Sequence, residues 1–319
     1  MYSQKKLIVS HAPFIHDGSR VPTRNYHILL AALPAVLMGL FQYGIPAVGV
    51  VALSVSSAIL WELVINVLRK SEKTIGDGNA AVIGLIFAML LPATVPWWFV
   101  ICGTFFAVVV GQQIFGGIGS NPFNPVVLGA LILFVGWKDY FDFNVALVNY
   151  DFGFDAIYPL TALKSFGPSG IQGFTPGDLL MAKQTGGIGS TFGLGLIIGG
   201  IYLIIRGFIR WEISLSFLAG IFITATIFNI FAPDKFAGPA FHLLSGYTLI
   251  GAFFLATEDS SSPVNFIPML IYGLVGGFMT ILIRNIGAYV DGVLFAILLI
   301  NLLAPIFEKI RPKALGKVD

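Results

Sequence analysis

Ten apolar runs, most of them close to 20 residues long, follow one another along this chain with little polar sequence between them. They lie near 27–45, 46–68, 80–95, 97–114 and 122–137, then near 188–206, 212–232, 240–257, 264–283 and 288–307. A helix of about 20 apolar residues crosses the hydrocarbon core of a bilayer. Several runs are short or interrupted by Gly and Pro, notably Ala80–Pro92, Asn121–Trp137 and His242–Thr257. Hydrophobic residues make up 56% of the 319 and charged ones only 11%, against about 45–50% and about 25% in soluble domains. One soluble core could not hide that much apolar surface. The expectation is an all-α membrane protein of about ten transmembrane helices, not a soluble enzyme.

Lys and Arg placement orients the spans. With the N-terminus inside, the inner segments carry 13 basic residues, among them Lys5, Lys6, Arg20, Arg24, Arg69, Lys73, Arg206, Arg210, Arg311, Lys313 and Lys317. The outer segments carry five: Lys138, Lys164, Lys183, Lys235 and Arg284. The positive-inside rule then places both termini in the cytoplasm. The chain divides into a cytoplasmic segment 1–26, a first transmembrane repeat 27–137, an outer-face loop 138–187, a second repeat 188–307 and a cytoplasmic tail 308–319. The outer loop is rich in aromatics (Tyr140, Phe141, Phe143, Tyr150, Phe152, Phe154, Tyr158), which argues for order. The polar N-terminal residues do not read as a cleavable signal peptide, and a net charge of +2 gives no reason to expect nucleic-acid binding.

The two halves look alike. Asn79–Pro92 resembles Gly246–Asp259, and each is followed by an apolar span, a glycine-containing turn and another apolar run. The turns are Gly116–Pro125 and Ile283–Gly292. Five spans separate the equivalent elements, and five is odd, so the repeats would be inverted, with broken half-helices between them.

Few residues can carry chemistry. In Gly116-Gly-Ile-Gly-Ser-Asn-Pro-Phe-Asn-Pro125, two amides three residues apart, Asn121 and Asn124, can face a planar heterocycle, with Gly117 and Gly119 allowing close approach. The same string also reads as a helix cap after a tight turn. Glu62, His242, Arg284 and Asp291 lie in or beside spans, where charge is costly and is paired or functional. Arg284 and Asp291 flank one turn and can pair, and His242 reads as a neutral interfacial hydrogen-bonder. Glu258 and Asp259 end a broken span, to ligate a cation or hold the turn. The single Cys102 excludes a multi-cysteine metal or iron–sulfur site within this chain. No nucleophile–base set, metal-ligand cluster or dinucleotide fingerprint appears, so no catalytic or metal residue is assigned.

Five ordered segments carry a resemblance. They are Leu91-Pro-Ala-Thr-Val-Pro-Trp-Trp98, Gly116–Pro125, Ile209-Arg-Trp-Glu-Ile-Ser-Leu-Ser-Phe-Leu218, His242-Leu-Leu-Ser-Gly246 with Gly251-Ala-Phe-Phe-Leu-Ala-Thr257, and Ile283-Arg through Asn301. The chain resembles the family of D-type subunits of the Rnf-type ion-translocating electron-transport complex, homologous to the B-type subunits of the sodium-translocating NADH:quinone reductase. It departs at Ala93, Ser214, Glu258, Ala288 and Val290. The resemblance implies a multi-pass subunit of the cell inner (cytoplasmic) membrane that relays electrons through flavin while the complex moves Na⁺ or H⁺. It implies partners: an outer-face flavoprotein, paired membrane subunits, and cytoplasmic iron–sulfur and NADH-binding subunits.

The resemblance also implies riboflavin near Asn121 and Asn124, and FMN joined through its phosphate to a threonine of an outer loop. The corresponding stretch here is Asp155-Ala-Ile-Tyr-Pro-Leu-Thr-Ala-Leu-Lys164, which lacks the family's Ser/Thr-Gly-Ala triplet. Read without a gap, Thr161 stands at the acceptor position; read with a gap, Tyr158 does and no acceptor remains. A small-solute channel or transporter of the same inverted plan is the competing function, and a structural subunit without a cofactor is a third.

Alkaline phosphatase, active only outside, tests the orientation. Fused after Gly170 it should be active, and fused at the C-terminus inactive; the reverse pattern overturns the assignment.

Overall fold

The computed structural model describes residues 20–70, 75–154 and 157–310. The basic positions Lys5, Lys6, Lys73, Arg311, Lys313 and Lys317, and Asp155 of the loop motif, lie outside them. The described residues are helical, with no strand among them. The first half holds α1 (Val21–Tyr43), α2 (Ile45–Arg69), α3 (Asn79–Leu90), α4 (Trp97–Phe105) and α5 (Pro125–Gly136). Short helices α6 (Phe143–Ala146), α7 (Pro159–Phe166) and α8 (Pro176–Leu180) cross the connecting segment. The second half holds α9 (Gly193–Ile205), α10 (Trp211–Phe231), α11 (Pro239–Leu244), α12 (Thr248–Ile250), α13 (Phe266–Asn285) and α14 (Val293–Phe307).

Five helices are long and apolar enough to cross a membrane: α1, α2, the continuous segment Trp97–Phe115 that contains α4, α10 and α13. Four shorter apolar helices, α3, α5, α9 and α14, accompany them. This is a multi-pass membrane protein. The run near 240–257 is not one helix: α11 stops at Leu244, and α12 continues through a π-helical turn over Gly251–Leu255. A second π turn, Phe106–Val110, extends α4. Pro92 ends α3, since the residue before a proline is pushed to extended backbone, and Leu91 has ψ 148°.

The apolar faces divide sharply. Leu37, Phe41, Leu60, Leu68, Phe222 and Phe231 stand exposed on the outside of the bundle, as lipid contact requires. Inside, small residues let backbones touch. α10 packs on α13 and α1 on α9; a Cβ on Gly277 would lie 2.3 Å from Phe217 O, and one on Gly199 2.1 Å from Ala31 O. Such close approach is how helices associate where lipid removes the hydrophobic drive.

The segment 184–191 is buried and non-helical. It threads between α1 and the end of α3, where Ile188 N donates to Leu91 O (3.0 Å) and Gly189 N to Met89 O (3.0 Å). Tyr43 OH on α1 donates to Gly186 O (3.0 Å). The groove holding it depends on Gly39, whose Cβ would lie 1.7 Å from Ile188 O. Gly39→Val should therefore destabilise the fold by about 1–3 kcal/mol or more, as overpacking does. Gly49→Ala, with nothing within 4 Å of its Cβ, should leave stability unchanged or raised. Thermal unfolding in detergent micelles reads both, and equal behaviour of the two variants would contradict the packing.

Candidate functional site

Three polar assemblies interrupt the apolar interior. The first is built on the asparagine turn. Asn124 caps α5: its Oδ1 accepts from Val126 N (2.9 Å) and Val127 N (3.1 Å), and Pro125 follows at the first helical position. Its Nδ2 donates to Leu255 O (2.8 Å), at the end of the second π turn, and its N–H donates to Asn301 Oδ1 (3.1 Å). Asn301 in turn donates to Tyr272 OH (2.7 Å) and Ser261 O (3.1 Å). Asn124 thus stitches the two halves together.

Asn121 Nδ2 donates to Phe123 O (3.0 Å) and Glu258 Oε2 (3.3 Å), while its buried Oδ1 has no partner among the described residues. Glu258 holds its own turn, accepting from Ser261 N (2.9 Å), and burial raises its carboxyl above the ordinary range against these hydrogen bonds. Asp259 pairs with Arg24 at 3.0 Å. A cavity of about 60 Å³ lies beside this turn, lined by Arg24, Asn79, Gln112, Asn124, Thr257 and Glu258. It has room for a few waters, not for a three-ring heterocycle. Gly117 and Gly119 do not line it; they sit at φ 100° and 86°, with nothing within 4 Å of either Cβ position.

The second assembly is the Arg284–Asp291 pair, whose side chains are only 1% and 9% exposed. Arg284 Nη2 reaches Asp291 Oδ1 at 2.9 Å and Thr248 Oγ1 at 2.9 Å, and Nη1 reaches His242 O at 3.0 Å. Nη2 also reaches Ser245 O at 3.3 Å, so the guanidinium serves carbonyls that α11 leaves open where it stops. Asp291 accepts further bonds from Tyr247 N (2.8 Å), Val293 N (3.1 Å) and Tyr158 OH (3.5 Å). Every part of the pair is engaged. His242, expected as a hydrogen-bonder, is fully buried, and neither ring nitrogen has a partner among the described residues. Glu62 is likewise buried in α2.

The third assembly is a cavity of about 300 Å³ on the face formed by 138–187, sharing Asp291 with the second. Aromatic rings wall it: Phe134 lies 5.6 Å from Tyr289, and Phe143 4.8 Å from Tyr158 and 6.3 Å from Tyr247. Thr161, in the first turn of α7, lines it together with Lys138, Asp139 and Asp142. Burial and the Asp291 charge hold the Tyr158 phenol well above its ordinary value, so it stays protonated. Lys164 clamps the rim, donating to Gly287 O (2.7 Å) and Tyr289 O (2.5 Å).

The sequence motifs single out Thr161, Tyr158 and Asp291 separately; the fold brings them to one cavity. They do not single out Phe134, Tyr247 and Tyr289, which look like ordinary span or turn aromatics. Asn301 closes the fifth motif, but the motif gives no sign that it would meet the asparagine turn.

A protein-family model matches residues 8–316, nearly the whole chain. The chain belongs to the NQR2, RnfD, RnfE family. Among curated relatives, the D-type subunit of the ion-translocating oxidoreductase complex of Pectobacterium atrosepticum is 33% identical, over 97% of this chain and 98% of the relative. The proteins of the same name from Escherichia coli O127:H6 and Cronobacter sakazakii are 31% and 30% identical over the same shares.

For this family member, removing Arg284 strands a buried carboxylate, a change that costs about 3–5 kcal/mol. Arg284→Gln should therefore lower thermal stability sharply. Arg284→Gln/Asp291→Asn should recover part of the loss, though not the part owed to the α11 carbonyls. A double variant less stable than the single would contradict this.

Proposed function

We propose that this chain is the D-type membrane subunit of an ion-translocating oxidoreductase complex, passing electrons through flavin while the assembled complex moves Na⁺ or H⁺. Family membership and the shared name of the relatives support the subunit assignment. The observation that carries the flavin reading is Thr161 on the wall of an aromatic cavity of about 300 Å³, within the size range of cofactor pockets. Against the competing solute-pore reading stands the commitment of Asn124 to capping α5 and to Leu255 O.

A bound flavin would supply one- and two-electron chemistry. The chain's residues would hold it in place. Phe143 and Tyr289 offer faces for stacking, and Lys138 offers positive charge to a phosphate. Thr161 Oγ1 is the hydroxyl available for a phosphoester, which would keep the charged phosphate near water and avoid its burial cost. Tyr158, fixed against Asp291, stiffens the wall. Riboflavin near Asn121 and Asn124 would use the open side of the turn, over Gly117 and Gly119, rather than the small cavity lined by Asn124, and a partner subunit would close it.

Both termini in the cytoplasm, residues 138–187 outside, and two inverted five-helix repeats complete the reading. Local chemistry supports the repeat. α5 and α14 each follow a glycine-containing turn, and each starts with a side-chain oxygen accepting from an N–H two residues on: Asn124 with Val126 and Asp291 with Val293. The expected partners are an outer-face flavoprotein, paired membrane subunits, and cytoplasmic iron–sulfur and NADH-binding subunits.

Intact mass of the chain, expressed with its own flavin-attaching machinery, tests the assignment. The wild type should gain the mass of one FMN less water, and Thr161→Ala should not. No gain in the wild type would sink the covalent link.

A further inference from the structure

The opposite face, which carries Arg20, Arg24 and Arg210, holds a cavity of about 510 Å³ that shares no residue with the aromatic one. Arg20, Arg24 and Arg210 line it, against one lining carboxylate, Asp259, which is paired with Arg24. Arg20 and Arg210 are exposed, and they are also the N-cap residues of α1 and α10. Neither cap makes a side-chain hydrogen bond, so two long helices present their first N–H groups and positive dipole ends here. Two other carboxylates stand nearby. Glu212 is buried in the first turn of α10, and Glu308 accepts from Val264 N (2.5 Å) and Asn265 Nδ2 (2.9 Å). Among the described residues Arg20 forms no ion pair with a carboxylate, and Arg210 forms none either, although it lies within electrostatic reach of Asp259, so the three arginines outnumber the one lining carboxylate.

The same cavity runs into the lipid-facing surface. Val21 and Val264 in its wall are 47% and 70% exposed, and Trp211, Phe266 and Ile267 beside them are about half exposed. Trp211 meets Phe266 edge-on at 6.5 Å, and Trp, with an apolar ring and a polar N–H, is enriched at the level of lipid headgroups. A free anion would satisfy the arginines and leave those apolar groups in water. A phosphate that carries acyl chains satisfies both.

We propose that this cavity binds the phosphodiester headgroup of an anionic phospholipid, with the phosphate between Arg20 and Arg210 and the acyl chains along Val21, Trp211 and Phe266. Basic pockets between helices at the cytoplasmic surface serve this purpose. The proposal goes beyond electron transfer and needs only the membrane assignment.

Quenching of Trp211 by lipids with brominated chains tests it, taken as the difference between the wild type and Trp211→Phe in delipidated protein. Brominated phosphatidylglycerol should quench at much lower mole fraction than brominated phosphatidylcholine. Arg20→Gln/Arg210→Gln should erase about thirty-fold of that preference, roughly five-fold per arginine. Arg20→Lys/Arg210→Lys should retain it, and a melting curve shows that all variants are folded. Inorganic phosphate at millimolar concentration should leave the lipid in place. Equal quenching by both lipids, or a preference that survives in the Gln variant, would overturn the proposal. Displacement by inorganic phosphate would also overturn it, assigning the cavity to a free anion.

Discussion

An α-helix that stops inside an apolar bundle leaves carbonyls with no water to bond, and each one left open costs free energy. Among the described residues, α3 and α11 stop in that way. α3 ends at Leu90, and α11 at Leu244. The first end is closed by the glycine segment and by Tyr247: Gly189 N meets Met89 O, Tyr247 OH meets Leu90 O (2.7 Å), and Ile188 N meets Leu91 O. The second is closed by Arg284 and by Thr248 Oγ1, which donates to His242 O (2.8 Å) and Ser245 O (3.1 Å). Much of the interior polar architecture follows from these two repairs.

The repairs are coupled. Tyr247 caps α3 through its hydroxyl and bonds Asp291 through its N–H. Asp291 holds Arg284, and Arg284 caps α11. One carboxylate therefore ties the break in the first half to the break in the second, and the same carboxylate lines the aromatic cavity that holds Thr161. A cofactor there would rest on the most constrained polar network among the described residues.

The two ends of the molecule solve different problems. On the face of residues 138–187, aromatics from sequence-distant segments close over a cavity, with Lys138 and Lys164 at its edge. On the arginine face, cations gather at helix N-termini beside exposed apolar residues. The asparagine turn lies between the halves, where Asn124 and Asn301 use nearly all their bonding capacity on backbone and on each other. That leaves Asn121 Oδ1 as the turn's one buried acceptor without a partner among the described residues.

Composition and length alone settle the solvent, because ten apolar runs with so little charge can be buried only in lipid. The chain also marks its own interruptions: Pro92, Pro122 and Pro125 lack N–H groups, and Gly246 supplies the left-handed backbone (φ 66°) between α11 and α12. Five ordered motifs carry the family, and the spacing of Arg284 and Asp291 names them as a candidate pair. Sequence could not decide which carbonyls those groups would meet, since His242, Ser245 and Leu90 become acceptors only once helix ends are buried. Nor could it collect Phe134, Phe143, Tyr158, Thr161, Tyr247, Tyr289 and Asp291 around one cavity. Those positions span more than 150 residues, and an aromatic in a membrane protein carries no local mark of whether it faces lipid, a neighbouring helix or a ligand. Only tertiary packing assigns that role, because the energy of a stacked wall lies in pairs of residues that the chain order keeps apart.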